Sequence, residues 1–371
     1  MAEFRMPSLG SDMDAGTLVK WRCAPGDRIV RGTIVAEVET DKGIIEVEAY
    51  EPGVVERLLV QPGARVPVGV ALAELRDAPE GAIAPPRVTQ PAPATAPTST
   101  VAPRIAMSPL ARRRAREAGI DPSTVRGTGP HGAVTVRDLE ALAAVATPST
   151  RMRRAIAATM SRAKREIPHY YLATSVDLTA ALRWIGDRNS TRAPALRILP
   201  GLLFVRAAAR AVAKVPEING RWSAEQDEAA VSREVNVGVA VSLRGGGLVA
   251  PAIRDTASIA LDDLVVSFRD AIQRARAGTL RSTEMSDGTL TVTSLGDRGV
   301  ETVFPIIIPP QLAILGFGKI VERPWAVDGM LAVRSIVHVT LGGDHRATDG
   351  HRGALYLDEV ARLLGSPEEL A

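Results

Sequence analysis

Two side chains near the end of the sequence, His345 and Asp349, have the types and the spacing for proton transfer. They lie in the run Asp-His-Arg-Ala-Thr-Asp-Gly at positions 344–350. An imidazole titrates near neutral pH, and one that follows a buried strand can act as a general base when hydrogen bonds fix its orientation. The alternative is that Asp349 only caps a helix, because Asp is among the preferred N-cap residues. The spacing alone leaves both interpretations open.

A second candidate is Lys42, which lies at the midpoint of a repeat. Residues 16–38 are echoed by residues 53–75, with every matched pair 37 positions apart. Both halves carry short strand patterns broken by Pro-Gly turns, which predicts the two halves of a small antiparallel β-sandwich. The run Asp41-Lys42-Gly43 then forms the tight turn between the halves and exposes the lysine. An exposed lysine is usually only a solubilising charge, but its place in the repeat makes this one a candidate site.

The composition excludes several classes of protein. With 371 residues and a hydrophobic fraction of 46%, the chain predicts two or three domains with substantial cores. The one cysteine, Cys23, excludes an intrachain disulfide and a clustered thiolate metal site. A net charge of +3 without a dense basic face argues against nucleic-acid binding. No apolar run is long enough for a membrane span, and the first strand begins close to Met1, so we expect a cytoplasmic location of bacterial type.

Composition also divides the chain into segments. Residues 77–104 form a linker with seven prolines among Ala, Thr and Ser, which favours extended polyproline II geometry. It is either a passive spacer or an arm that keeps an attached group at high effective concentration near several sites. The compact segment 105–143 contains a basic helix with Ser108 as N-cap and Pro109 at its first position, and a second helix capped near Thr135. A short linker, 144–150, follows.

The last segment, residues 151–371, predicts one α/β domain. Its mixed order of helix and strand patterns indicates a sheet backed by helices. The helix patterns cover residues 152–166, 202–214, 259–277 and 354–364, and the strand patterns cover residues 167–172, 234–241, 248–253, 289–293, 311–317 and 335–342.

Residues 1–76 resemble the lipoyl domain of 2-oxo acid dehydrogenase complexes, in which Asp-Lys marks the lysine that carries lipoic acid. Related biotinyl domains place Met on both sides of the lysine, whereas the flanks here are Asp41 and Gly43. The resemblance implies that lipoic acid is bound covalently to Lys42 through an amide bond. The lysine would then become a carrier of acyl groups and electrons.

Residues 105–143 resemble the peripheral-subunit-binding domain of the same complexes. The resemblance implies that Arg112, Arg113 and Arg116 form a basic docking face for the decarboxylating 2-oxo acid dehydrogenase component or for dihydrolipoyl dehydrogenase. The family loop commonly continues Gly-Arg-Ile, whereas this chain has Gly-Ala-Val at positions 132–134, so one customary arginine is absent. The alternative is a basic helix that only solvates the surface.

Residues 151–371 resemble the catalytic domain of dihydrolipoamide acyltransferases and of chloramphenicol acetyltransferase, whose active-site motif is His-x-x-x-Asp-Gly. Segments 151–157, 167–171, 215–219 and 309–316 match that domain in order. The resemblance implies that His345 helps to remove the proton of the coenzyme A thiol. Asp349 would orient the site by pairing with Arg346 or with a nearby backbone group. The family's oxyanion donor, a Ser in Thr-x-Ser-Asn-Leu-Gly, falls on Thr293 here, with Ser294 as the alternative.

The chain is therefore identified as a member of the dihydrolipoamide acyltransferase family. We expect a multidomain protein with an all-β lipoyl sandwich, a small helical subunit-binding domain and a C-terminal α/β domain like chloramphenicol acetyltransferase. The expected reaction moves an acyl group, acetyl by default, from lipoyl-lysine to coenzyme A. Homotrimers would assemble into a larger core, with His345 and Thr293 facing each other across a subunit boundary, and no metal is implied. The alternative is a lipoylated scaffold with little or no acyltransferase activity.

Overall fold

The structure, a computed structural model, describes residues 2–9, 13, 15–40, 43–76, 107–117, 125, 127–130, 133–138, 148–243, 247–296 and 299–371. The side chains of residues 2, 109, 114, 116, 117 and 148–151 are outside this description. So are Lys42 and its predicted turn, and the linker 77–104. Two compact units are treated separately: residues 1–77 together with 152–371, and residues 78–151.

The N-terminal region is an all-β sandwich, as the repeat predicts. One sheet has the order β1-β8-β6-β3, and the other contains β5-β4-β2-β7. Its apolar side chains, among them Leu18, Val38, Val55 and Leu75, point inward and form one buried cluster. The strands are β1 (Ala2–Arg5), β2 (Ala15–Trp21), β3 (Arg28–Ile29), β4 (Ile34–Thr40), β5 (Gly43–Glu48), β6 (Gly53–Leu58), β7 (Arg65–Pro67) and β8 (Ala71–Arg76).

Hydrogen bonds between the two halves obey the quasi-twofold symmetry of the repeat. The amide of Gly26 donates to the carbonyl of Val55, and the amide of Gly63 donates to the carbonyl of Leu18, both at 2.7 Å. The two bonds exchange when each residue is shifted by the 37-position offset. Gly26 and Gly63 also share a positive φ, 95° and 91°, which explains why both Pro-Gly turns end in glycine.

The second unit contains helix α1 (Pro109–Glu117), which begins where the sequence predicts. The Ser108 hydroxyl accepts a hydrogen bond from the amide of Ala111 and so caps the helix. A capping box opens the second helical segment, because Thr135 accepts from the amide of Asp138 while Asp138 accepts from the amide of Thr135. Hydrogen bonds from the hydroxyl and amide of Thr128, followed by those from Thr135, hold the pKa of Asp138 well below its ordinary value.

The C-terminal region is an α/β domain. Its helices are α2 (Pro148–Glu166), α3 (Thr179–Asn189), α4 (Pro200–Ala211), α5 (Leu261–Ala277), α6 (Ser282–Ser286) and α7 (Gly350–Gly365). Its strands are β9 (His169–Asp177), β10 (Gly220–Ser223), β11 (Glu228–Val231), β12 (Val237–Val239), β13 (Val241–Ser242), β14 (Leu248–Val249), β15 (Ala252–Ile253), β16 (Leu280–Arg281), β17 (Leu290–Ser294), β18 (Ala313–Phe317), β19 (Val321–Val327) and β20 (Met330–Asp344).

A seven-stranded sheet organises this domain. Its order is β15-β12-β17-β18-β20-β19, and β9 pairs with the other edge of β20. The predicted strand 335–342 is too short, because β20 runs over 15 residues and pairs with three neighbours. The predicted strand 234–241 is broken into β12 and β13. Buried apolar residues of α4, α5 and α7 pack with the central strands into one core.

Candidate active site

His345 lies on the turn that leaves the longest strand of the sheet. β20 ends at Asp344, and α7 begins at Gly350. The His345 amide donates to the carbonyl of Pro168 at 3.0 Å, so the turn is tied to the start of β9. The imidazole is on an exposed residue. The backbone therefore fixes the position of the residue while the side chain stays open to a substrate.

The turn is held from inside by Asp344, whose side chain is fully buried. Its carboxylate accepts from the backbone amide of Arg346 at 3.0 Å and from the guanidinium Nη2 of the same residue at 2.7 Å. The guanidinium also lies over the ring of Trp222, with its carbon 4.0 Å from the ring centroid. A buried carboxylate is stable only when its oxygens have such partners. Asp344 therefore stabilises the turn that carries His345, a role that the sequence motif did not indicate.

Two partners are expected for Asp349, the Arg346 side chain or a nearby backbone group, and the structure shows the second. Arg346 pairs with Asp344, so the expected pairing of Asp349 with Arg346 is wrong. Asp349 is instead the N-cap of α7 and accepts from the amide of Arg352 at 2.9 Å. That hydrogen bond holds the pKa of the Asp349 carboxyl below its ordinary value. The carboxylate thus stabilises the start of the helix that follows His345.

Tyr170 supports the imidazole from the side. Its ring centroid lies 5.4 Å from that of His345, at an interplanar angle of 71°. Its hydroxyl shares a hydrogen bond of 2.8 Å with that of Thr348, and burial raises the pKa of the phenol. Gly343 and Gly353 make room for the ring, since a Cβ atom would lie 2.4 Å and 2.8 Å from Tyr170 atoms. Both glycines are therefore needed for this packing.

His169 is held as a neutral imidazole with one defined tautomer. Its Nε2 accepts from the backbone amide of Ile307 at 3.1 Å, which leaves Nδ1 as the donor to the carbonyl of Ile167 at 2.9 Å. Desolvation by burial lowers its pKa. Ile307 is buried, whereas Phe304 at the start of the same apolar run is exposed. His169 therefore anchors a segment that is partly core and partly surface.

The two candidate oxyanion donors lie at the end of β17. Side chains alternate along a strand, so Thr293 lies on the same side of the sheet as Thr291, whose hydroxyl donates to Gln311 in the interior. Ser294 lies on the opposite side, is exposed, and accepts a hydrogen bond from the amide of Gly296 at 3.3 Å. Thr293 is half-buried, and among the described residues its hydroxyl has no hydrogen-bond partner. Thr293 is thus the better placed donor.

Strand register separates Thr293 from His345 within one chain. Thr293 pairs with Gly316, and Gly316 pairs with Thr340. His345 comes five residues after Thr340. At about 3.3 Å per residue and 4.8 Å per strand spacing, the two residues lie roughly 19 Å apart. The structure does not bring these predicted site residues together in a single chain.

A cavity of about 790 Å³ opens at the His345 end of the sheet. Arg346, the neighbour of His345, lines it together with Met160, Arg221, Trp222, Met285 and Gln311. Its walls are mainly apolar, with the guanidinium groups of Arg162, Arg221 and Arg346 and the carboxylates of Glu166 and Asp227 among them, a lining that suits a ligand with an apolar part and a polar or charged part.

The remaining predicted site residues lie elsewhere in the chain. Antiparallel pairing of β4 with β5 extends to Thr40 and Gly43, which leaves only residues 41 and 42 for the connection that contains Lys42. Arg112 and Arg113 are exposed on α1, and the side chain of Arg116 lies outside the described residues.

Cys23 is half-buried in the N-terminal sandwich. Its thiol donates weakly to the carbonyl of Val35 at 3.5 Å, and burial raises its pKa to about 11. Across the described ranges, no group of three or more His, Cys, Asp or Glu side chains is placed to hold a metal ion. In the same part of the chain, no helix is both long and apolar enough to cross a bilayer.

Three family models match the chain in succession. The model described as 2-oxoacid dehydrogenases acyltransferase (catalytic domain) matches residues 143–371. A biotin and lipoyl model, described as biotin-requiring enzyme, matches residues 2–75, and an e3 binding domain model matches residues 105–140.

Proteins of similar sequence align with nearly the whole chain. The dihydrolipoyllysine-residue acetyltransferase component of the pyruvate dehydrogenase complex from Zymomonas mobilis is 29% identical, with 98% of each chain covered. The lipoamide acyltransferase component of the branched-chain alpha-keto acid dehydrogenase complex from Bacillus subtilis is 30% identical, with 99% of this chain and 98% of the other covered. A crystal structure of a probable dihydrolipoamide acetyltransferase from Listeria monocytogenes 4b F2365 is 30% identical, with a TM-score of 0.55 over 58% of this chain and 91% of the other.

Proposed function

Because the chain belongs to the family of 2-oxoacid dehydrogenase acyltransferases, we propose that it moves an acyl group from a lipoyl-lysine at Lys42 to coenzyme A, at a site that His345 and Thr293 of two subunits form together. The observation that carries this proposal is the separation of the two residues within one chain, which a neighbouring subunit can close. Acetyl is the first choice for the acyl group and a branched acyl group the second, since similar proteins are named for both.

His345 acts as the general base. A thiol with a pKa of about 8.5 is mostly protonated at neutral pH, and the thiolate is the effective nucleophile. The imidazole accepts the thiol proton of coenzyme A while the sulfur attacks the acyl carbonyl. The bond from the acyl carbon to the carrier sulfur breaks, and the proton passes from the imidazole to the departing sulfur. The backbone bond to Pro168 positions the residue, and the ring contact with Tyr170 orients the imidazole for both transfers.

Thr293 donates its hydroxyl proton to the oxygen on which negative charge develops during the attack. Preorganised donors of this kind stabilise such charge strongly, and losing one typically lowers the rate by about 10²- to 10³-fold. The β-branched side chain restricts the rotamers of Thr293, which keeps the hydroxyl aimed once the neighbouring subunit is in place. Ser294 is the second choice, since alternation along β17 places its side chain on the opposite, exposed side of the sheet.

Lys42 fits a covalently bound lipoyl group. The two-residue connection between β4 and β5 would present the lysine at the tip of a rigid sandwich. A lipoyl group on it supplies a dithiol that holds the acyl group as a thioester. We assign residues 1–76 to this carrier, 77–104 and 144–150 to linkers, 105–143 to the partner-binding domain and 151–371 to the acyltransferase. The linker lets the carrier travel between active sites.

The assembly is a homotrimer that builds the core of a multienzyme complex. A ring of three subunits gives each His345 a Thr293 from the next chain, because the contact is heterologous and closes on itself. Residues 105–143, with Arg112, Arg113 and Arg116, bind the decarboxylating dehydrogenase component or dihydrolipoyl dehydrogenase. The proposal includes a cytoplasmic location.

Transfer from S-acetyl-dihydrolipoamide to free coenzyme A tests the catalytic assignment. The wild-type chain should form acetyl-coenzyme A, and His345→Ala should lower kcat by about 10²- to 10⁴-fold. His351→Ala is the matched control, because that exposed imidazole lies on the outer face of α7, and it should keep full activity. Equal inertness of wild type and His345→Ala would favour a lipoylated scaffold instead.

A further inference from the structure

The N-terminal sandwich has an open sheet edge at β5, and the C-terminal domain covers it. β16 lies beside β5 as an additional parallel strand, with Leu280 opposite Ile45 and Arg281 opposite Glu46. Among the described strands, β16 pairs only with β5. An unpaired strand edge is a template for another strand, and such addition is a common mode of docking.

Side chains extend the contact beyond the strand pair. The amide of Glu48 donates to the hydroxyl of Ser282 at 3.1 Å, and the Thr283 hydroxyl donates to the Glu48 carboxylate. Glu48 is only 6% exposed and Ser282 is fully buried. Met285 packs against the apolar cores of both the sandwich and the C-terminal domain. A buried carboxylate and a buried amide each cost free energy unless they find partners, so the Thr283 hydroxyl, which donates to the carboxylate, and the Ser282 oxygen, which accepts from the amide, make this a complementary contact.

The direction of β5 decides what the contact does. Glu48 is at the end of β5 that meets α6, and Met285 and Ser286 of α6 line the same cavity as Arg346, the residue that follows His345. Gly43, which directly follows Lys42, is at the opposite end of β5. Gly43 lies two residues before Ile45, which pairs with Leu280. In this parallel register Gly43 is level with position 278, the C-cap of α5. The strand end that leads to Lys42 therefore runs away from this cavity.

We propose that β16 and the start of α6 form a docking strand on which the chain's own carrier sandwich rests between transfers. The occupant is the β5 edge of the same chain, and the 77–104 linker is long enough to allow both docking and release. A docked carrier sandwich cannot reach partner enzymes, so the affinity of docking sets the fraction of carrier sandwiches that are free to do so. In the test below, the measurement of flux rests on the proposed role of Lys42, whereas the measurement of crosslinking is independent of it.

A pair of cysteines in the full chain tests the docking. In a Cys23→Ala background, Glu46→Cys and Arg281→Cys occupy directly paired positions of adjacent strands, about 4.8 Å apart and within disulfide range. Both side chains have solvent access, so the substitutions spare the core. The control replaces Glu46→Cys by Arg57→Cys, which lies on β6 in the opposite sheet.

Mild oxidation should close an intrachain disulfide in most molecules of the first pair and in few of the control. The oxidised protein should lose at least about 10-fold in complex-dependent flux from a 2-oxo acid, keep transfer from free S-acetyl-dihydrolipoamide, and recover flux on reduction. Equal crosslinking of the two pairs, crosslinks formed mainly between chains, or full flux in the oxidised protein would each overturn the proposal. If the reduced protein itself shows no flux, the proposed function is refuted. The difference in crosslinking between the two cysteine pairs then still tests the docking.

Discussion

Mixing two inactive variants tests whether different chains share one site. His345 and Thr293 lie roughly 19 Å apart in a chain by strand register, so no single chain supplies both groups to one acyl carbonyl. His345→Ala removes the base, and Thr293→Val removes the hydroxyl at nearly constant volume, so each parent should retain about 1% of wild-type activity or less. In randomly mixed trimers, about a quarter of the sites pair an intact His345 with an intact Thr293 of the next chain.

Coexpression of the two variants, followed by the S-acetyl-dihydrolipoamide assay, measures this directly. The mixture should reach about 25% of wild-type activity, more than 10-fold above either parent. Coexpression of His345→Ala with the double variant His345→Ala/Thr293→Val provides the control, because no combination of those chains contains an intact His345. A mixture no more active than the mean of its parents would place the whole site in one chain and refute the register argument.

Three other predictions concern single residues. Lys42→Arg should abolish flux through the complex, because arginine cannot take the amide-linked lipoyl group, while transfer from free S-acetyl-dihydrolipoamide continues; loss of both activities would show that carrier and catalyst are not separate. Asp349→Ala should lower the melting temperature and kcat by removing the cap on α7, and Asp349→Asn, which can still accept from Arg352, should restore stability. Because burial lowers the pKa of His169, the unfolded chain binds that proton more readily, and the melting temperature should fall as pH drops below about 6.5; His169→Gln should flatten this slope.

The sequence predicts features that depend on local pattern. The 37-residue offset predicts the sandwich, and the paired bonds of Gly26 and Gly63 reproduce it in three dimensions. The caps at Ser108 and Thr135 are also local, since each involves residues within one helical turn. The position of His345 after a buried strand follows from the apolar run before it.

Features that depend on distant partners could not be predicted. Strand β19 carries charges and a proline at Glu322, Arg323 and Pro324, and only its pairing with β20 makes it a strand. The pairing of Arg346 with Asp344 rather than Asp349 depends on the turn geometry and on Trp222, which is more than 100 positions away. Strand β16 has two residues, too few for any periodic signal, and forms against β5 across a long sequence separation.

The burial of Cys23 has a consequence for an enzyme whose substrates are thioesters. A thiol with a pKa of about 11 is ionised in roughly one molecule in 10⁴ at pH 7, whereas about 3% of an ordinary thiol with a pKa near 8.5 is thiolate. The chain's single cysteine is thus far less ionised at neutral pH than an ordinary thiol. Because the thiolate is the effective nucleophile, a buried and protonated sulfur is a poor acceptor of acyl groups, which disfavours self-acylation at Cys23.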